Sequence, residues 1–421
     1  MTTLRAVQGE RQIRGFFAAL RMTAAGVMAF AAGAGVGASA RAQDYPAPTP
    51  ATQAIIDKDN GRHFGSSPED GGPMATDLSP ALTGAAIDKA LRKVADWQIA
   101  TNQAYFDQIW TSGALYVGFL AAAKATGDAK YRDAMMAVAQ KYDWDERSHP
   151  AGADDLAIAQ MYLDLYLAQP QEKHDSHWVQ ATKDNLDSVI NLKTLKDGDP
   201  RLPWWWCDAL FMAPPVWSRM YRVTDDHKYI DYLDENFAKT SELLYNKQEH
   251  LYARDATYIG KTEPNGKPMF WSRGEGWVMA GIARIYDVLP ADDPRKPFYA
   301  QQLKEMAARI AGLQGADGLW HAGLLDPEYY KLPEISGSAF FTYAMAWGIN
   351  HGILDAKTYR PVVTRAWKGM LTHVYADGRL GCIQQTGSEP AFYRPTASYD
   401  FGVGAFLLAG SELKTMVEHK R

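Results

Sequence analysis

The chain has 421 residues, of which 47% are hydrophobic and 22% charged. That is ordinary globular composition, with enough apolar surface for one large core. The 44 basic and 49 acidic side chains give a net charge of −5, which argues against nucleic acid as a partner. An acidic ligand stays open, because one or two local arginines can hold a carboxylate.

Residues 1–42 read as a signal peptide. Arg5, Arg11, Arg14 and Arg21 form a basic start, residues 22–38 are apolar and small, and Ala40-Arg-Ala42 supplies a small-x-small cleavage pattern. The apolar stretch is short for a membrane span. The expectation is a secreted, periplasmic protein with no stable membrane insertion after cleavage; a plain hydrophobic anchor stays open. Cleavage before Gln43 would remove five Arg and Glu10, leaving 39 basic and 48 acidic side chains, a net of −9. Residues 43–83 are rich in Pro, Gly, Asp and Ser and read as an extended arm.

From residue 84 to the end the pattern is helical. Ile87, Leu91, Val94 and Trp97 make the first apolar stripe at helical spacing. Eleven more follow, near 112–126, 129–143, 154–168, 174–191, 208–223, 227–245, 273–288, 295–313, 337–351, 356–374 and 402–415. Strand alternation is confined to short pieces such as Leu251–Thr257. Three polar turns, Thr126–Tyr131, Thr224–Tyr229 and Leu354–Tyr359, each end on a Tyr that begins a helix. Twelve helices in hairpins predict an all-α, single-domain (α/α)6 barrel over residues 84–421, with a superhelical solenoid as the alternative.

Three stretches carry candidate chemistry. The first is Leu202-Pro-Trp-Trp-Trp-Cys-Asp208-Ala-Leu-Phe-Met212-Ala-Pro-Pro215. Three consecutive Trp cannot share one side of a regular element, so at least one should line a surface or cavity. Pro214 and Pro215 fit the first turn of a helix, which puts Asp208 at or just before a helix start. There it is either a helix cap or a carboxylate whose pKa is raised by apolar surroundings, suited to donate a proton near neutrality. The second is Phe270-Trp271-Ser-Arg273-Gly-Glu-Gly-Trp277. Arg273 and Trp277 are four apart and could share a helix face, pairing a cation with an aromatic platform; a structural Arg bridging loops is the other reading. The third is the run from His149 to Gln160, where Asp154 and Asp155 precede an apolar helix. One of them is expected to cap that helix, the other to face a central funnel. Thirteen Trp and 22 Tyr fit either a large core or an aromatic-lined sugar cleft. Cys207 and Cys382 could form one bridge but no framework. Metal-binding spacings such as CxxC and HExxH are absent.

Taken together, these motifs resemble the unsaturated glucuronyl and rhamnogalacturonyl hydrolases, glycoside hydrolase families 88 and 105. The resemblance rests on Trp206-x-Asp208-x-x-x-Met212-Ala-x-Pro215, Trp271-Ser-Arg273-Gly-x-Gly-Trp277 and Asp154-Asp155-x-x-x-x-Gln160, in their order. Asp317–Trp320, Glu334–Phe340 and Gly402–Glu412 also agree, so the likeness runs from about residue 90 to the end. It implies an (α/α)6 barrel and a reaction without metal or cofactor. It also implies an acidic oligosaccharide ending in a 4,5-unsaturated uronic acid. By carry-over, Asp208 is the general acid and base that hydrates the vinyl ether. Asp155 is the second active-site carboxylate, with Asp154 as the alternative. Trp206, Met212, Trp271, Arg273 and Trp277 match substrate-contacting positions. A His common before the Trp-Ser-Arg motif is matched only loosely, by His250, Arg254 or Asp255. An inverting glycosidase using Asp155 and Asp208, a polysaccharide lyase, and a non-catalytic carbohydrate-binding barrel remain as rivals.

Overall fold

The computed structural model describes residues 46–146, 152–190, 192 and 202–418. The signal-peptide reading of residues 1–42 lies outside them, as does His149 of the third motif.

The helices follow the apolar stripes. They are α1 (Pro50–Asn60), α2 (Gly84–Asn102), α3 (Trp110–Thr126), α4 (Ala129–Lys141), α5 (Ala153–Leu156), α6 (Ala159–Leu167), α7 (His177–Ile190), α8 (Ala209–Met212), α9 (Pro214–Thr224), α10 (His227–Leu244), α11 (Ser272–Val288), α12 (Lys296–Ala311), α13 (Ile335–Asn350), α14 (Ala356–Leu371) and α15 (Asp400–Glu418). Two expected helices are each broken into a pair, α5/α6 and α8/α9. Pro214 and Pro215 occupy the first two positions of α9, where missing amide hydrogens cost nothing.

α3, α5/α6, α8/α9, α11, α13 and α15 pack in sequence, and α15 returns to pack on α3. This closes an inner ring. α2, α4, α7, α10, α12 and α14 lie outside it, each against an inner neighbour. Twelve helices in two concentric rings make an (α/α)6 barrel. The burial pattern states the same division. Every residue of α13 from Ile335 to Gly348 is buried, whereas α10 buries only positions such as Tyr229, Ile230, Leu233, Phe237 and Thr240, one stripe of an amphipathic helix.

Ring closure needs a close backbone approach between α3 and α15. A Cβ on Gly118 would stand 2.5 Å from the Gly404 carbonyl oxygen, and one on Gly404 would stand 2.3 Å from the Ala114 oxygen. Only glycine fits on either side.

The recurrent polar turns have a common construction. Asp128, Asp226 and Asp355 cap α4, α10 and α14, each accepting from a backbone N–H of the first turn. In two of them the next Tyr then reaches an outer neighbour. Tyr131 donates to Asp96 at 2.6 Å, and Tyr229 donates to Asp187 at 2.7 Å.

Strand content is small, as expected. β1 (Gly65–Ser66) pairs antiparallel with β4 (Ser398–Tyr399), and β2 (Tyr245–Asn246) with β3 (Leu251–Tyr252). The segment expected to be an extended arm differs from that reading. Thr49 caps α1 by accepting from Thr52 N–H, and Pro50 opens the helix. Through β1, this N-terminal segment is stitched to the start of α15. Among the described residues no helix is long and apolar enough to cross a membrane.

Candidate active site

A cavity of about 540 Å³ opens at one end of the barrel, within the range of small-ligand sites. Its wall is built by four segments and a closing loop. The first turn of α5 brings Asp154 and Asp155, the strand-like segment before α8 brings Trp206, the start of α3 brings Trp110 and Thr111, and α1 with its following turn brings Lys58, Asp59, Arg62 and Phe64. Thr386, from the loop before α15, completes it.

Asp208 stands at the N-cap position of α8 with helical φ/ψ of −61° and −30°, but its side chain makes no capping bond. The helix-cap reading is therefore not the one realised. The residue is 8% exposed. Cys207 N–H donates to the Arg254 carbonyl at 2.8 Å, and Trp206 pairs with Asp255 in a short bridge. That pairing places the Arg254 guanidinium Nε 3.8 Å from Asp208 Oδ2. The Cys207 thiol donates to Oδ1 at 3.2 Å. Burial pushes the Asp208 pKa up, and the Arg254 charge and the thiol pull it back.

Asp154 is pushed up to about 7, first by burial and then by the charges of Asp208 and Asp155. Two carboxyls that each raise the cost of ionising the other are a device for holding a proton near neutrality. The expectation that Asp154 or Asp155 would cap the helix is corrected. Gly152 takes the cap position without a side-chain bond, and both aspartates sit in the first turn and face the cavity.

The other expected residues divide sharply. Trp206 lines the cavity, with Trp205 against it at 4.8 Å between rings. Trp204, by contrast, is buried under Tyr232. Trp277 is buried behind Trp110, edge to face at 6.1 Å. Met212 is a core residue at 1% exposure.

Arg273 is also 1% exposed. It is sandwiched between Trp271 and Phe401, with Nη1 and Nη2 donating to the carbonyls of Gln384 and Gln385 at 2.8 and 2.7 Å. Trp271 donates to the Gln384 side chain at 2.9 Å. The geometry thus favours the loop-bridging reading: Trp271 and Arg273 fix the loop that presents Thr386. His250 lies elsewhere, bonded to Tyr245 at 3.0 Å and 3.5 Å from Glu305 of α12. Of the three residues considered in that loop, Arg254 is the one beside Asp208. Gln160 is wholly buried. It donates to the Phe211 carbonyl at 2.7 Å and accepts from Arg284 at 2.6 Å, so it satisfies a carbonyl that Pro215 cannot. Cys207 and Cys382 are both buried and free.

Sequence reasoning missed Lys58, Asp59, Arg62, Trp110 and Thr386. The one signal available was Thr49-Pro50, a cap residue followed by proline, which marks a helix start inside the segment taken as an arm.

The Glycosyl Hydrolase Family 88 profile matches residues 85–417. The chain belongs to glycosyl hydrolase family 88. It is therefore a glycosidase by family. The family 88 chain is 38% identical over 351 residues to an unsaturated 3S-rhamnoglycuronyl hydrolase of Formosa agariphila, covering 80% of this chain and 93% of that protein. Among solved structures, a glycosyl hydrolase family 88 protein from Bacteroides vulgatus superposes with a TM-score of 0.72 at 30% identity, covering 78% of this chain and 98% of the other. A structure described as a polysaccharide lyase superposes with a TM-score of 0.73 at 28% identity, over 80% of this chain and 99% of that one.

Proposed function

We propose that this family 88 enzyme removes a terminal 4,5-unsaturated uronic acid from acidic oligosaccharides by hydrating the C4=C5 vinyl ether. The observation that carries the reading is Asp208, a carboxyl withdrawn from water two residues after the cavity-lining Trp206, near enough for its charge to act on the cavity-lining Asp154, free of any capping duty and facing Arg254. The name of the Formosa agariphila relative supports the substrate class.

In this mechanism the Asp208 carboxyl gives its proton to C4. Positive charge develops at C5 and the ring oxygen. Water adds at C5 and returns a proton to the Asp208 carboxylate, which Arg254 stabilises in the interval. The resulting hemiketal opens at the C5–ring oxygen bond, and the hemiacetal left at C1 releases the second sugar. One water is consumed and Asp208 ends as it began. Asp154 is taken as the second carboxylate in preference to Asp155: it lines the cavity, and the charges of Asp208 and Arg254 act on it.

The test follows the ultraviolet band of the conjugated uronate in lyase-generated oligosaccharides. The band should disappear with wild-type protein, and Asp208→Asn should lower kcat by about 10²–10⁴-fold. An Asn variant that works at full speed removes Asp208 from the mechanism. The lyase description of one structural neighbour makes a second reading concrete, and the same trace separates it: a lyase would make the band grow on saturated polymer. An inverting glycosidase would also cleave saturated oligosaccharides, which carry no such band and which a vinyl-ether hydratase cannot attack.

A further inference from the structure

The family match begins at residue 85, yet part of the cavity wall comes from before it. α1 and the turn after it contribute Lys58, Asp59, Arg62 and Phe64. The segment is fastened there by specific bonds. Asp59 is 1% exposed and accepts from Thr386 N–H at 3.0 Å and from its hydroxyl at 2.7 Å. β1 pairs with β4, and Phe64 accepts a backbone bond from Asp400 at 3.0 Å.

Anchoring Asp59 inward leaves its neighbours Lys58 and Arg62 exposed on the cavity side. Among the described residues neither is in an ion pair. They are the cations of the cavity lining. Arg254 is already engaged by Asp255 at 2.8 Å, and Arg273 is spent on loop carbonyls. The acidic groups that would do the chemistry are less exposed than these two cations. Lys58 and Arg62 line the same cavity as Asp154, so with the terminal uronate assigned to Asp154 and Asp208 they are the groups left for the next sugar.

We infer that α1 is a substrate-binding wall outside the family domain, in which Lys58 and Arg62 hold an oxyanion of the second sugar, a sulfate ester or a carboxylate. Two cations converging on one tetrahedral or planar oxyanion give charge-assisted hydrogen bonds. This inference rests on the proposed function for the placement of the first sugar.

The experiment compares three unsaturated uronyl disaccharides whose second sugar carries a sulfate ester, a carboxylate or neither. Wild-type protein should prefer an anionic disaccharide in kcat/KM. In the Lys58→Gln/Arg62→Gln double variant that preference should fall at least about tenfold, the scale of one charge-assisted hydrogen bond, with the loss in KM. A partly unfolded variant lowers both rates together and leaves the ratio alone. Lys58→Glu/Arg62→Glu should turn the preference toward the neutral compound. The arm that responds, sulfate or carboxylate, identifies the anion. A ratio within about twofold of wild type in both anionic arms overturns the inference. If no disaccharide loses its band, the proposed function fails. Calorimetric Kd values for the same three compounds then give the same ratio, so the wall is judged separately.

Discussion

Asp154 ionises beside two other carboxyls, and this has a sign that can be worked out. Its folded pKa is about 7 against an ordinary 3.8. Between those values the folded protein holds a proton that the unfolded chain has lost, so this site favours folding at low pH and its contribution falls as pH rises from about 4 to 7. A shift of that size corresponds to at most about 4 kcal/mol, reduced because water still reaches the group. Asp154→Asn should therefore raise stability at pH 8 by about 1–3 kcal/mol and flatten the pH dependence of Tm between those limits. The same variant should lose activity, and the alkaline limb of the remaining kcat should move to lower pH. Thermal melts across pH with a parallel rate profile read both; an unaltered melt profile would mean that Asp154 is not strained by its neighbours. The sequence placed Asp154, Asp155, Trp206 and Asp208 near one another by motif. It could not distinguish cavity-facing residues from those bracing them. Arg273 and Trp277 share the motif of Trp271, yet their roles were set by carbonyls at 384–385 and by rings at 110 and 401, more than a hundred residues away in sequence.

Periodicity located the twelve barrel helices because each must bury one stripe or be buried all round. The break before Pro214 was readable from the prolines. The break between α5 and α6 was not, since no proline or glycine marks Ala157 and Ile158; the tighter turn shows in bonds from Ala157 N–H to the Asp154 carbonyl at 3.2 Å and from Met161 N–H to the Ile158 carbonyl at 3.0 Å. The contact between α3 and α15 is a property of two helices together, and it was equally hidden. Gly404→Ala should destabilise the protein by about 1–3 kcal/mol, because the added methyl meets backbone, which cannot turn aside as a side chain can. Urea unfolding measures it. A variant as stable as wild type would show that the two helices have room to separate.

The N-terminal segment shows how composition can mislead at the level of the whole molecule. Its Pro, Gly and Asp content suggested an arm, and the structure makes it a helix and a strand bonded to the far end of the chain. Its hold can be loosened without touching the cations. Thr386→Val removes the hydroxyl donor to the buried Asp59 carboxylate and keeps the backbone N–H, at a cost of about 1.5–3 kcal/mol for the lost charged bond. Residues 46–66 should then be cut faster in limited proteolysis, and KM for an anionic disaccharide should rise with them. Unchanged cleavage would mean that β1 alone secures the segment. The inner ring carries a consequence for biosynthesis. Its sixth helix, α15, completes the circle by lying against its first, α3. A ribosome delivering the chain from its amino end holds five staves with an open seam until residues past 400 have left the tunnel. The apolar sides of α3 and α13 along that seam must wait, uncovered or chaperoned, for the last stave to arrive.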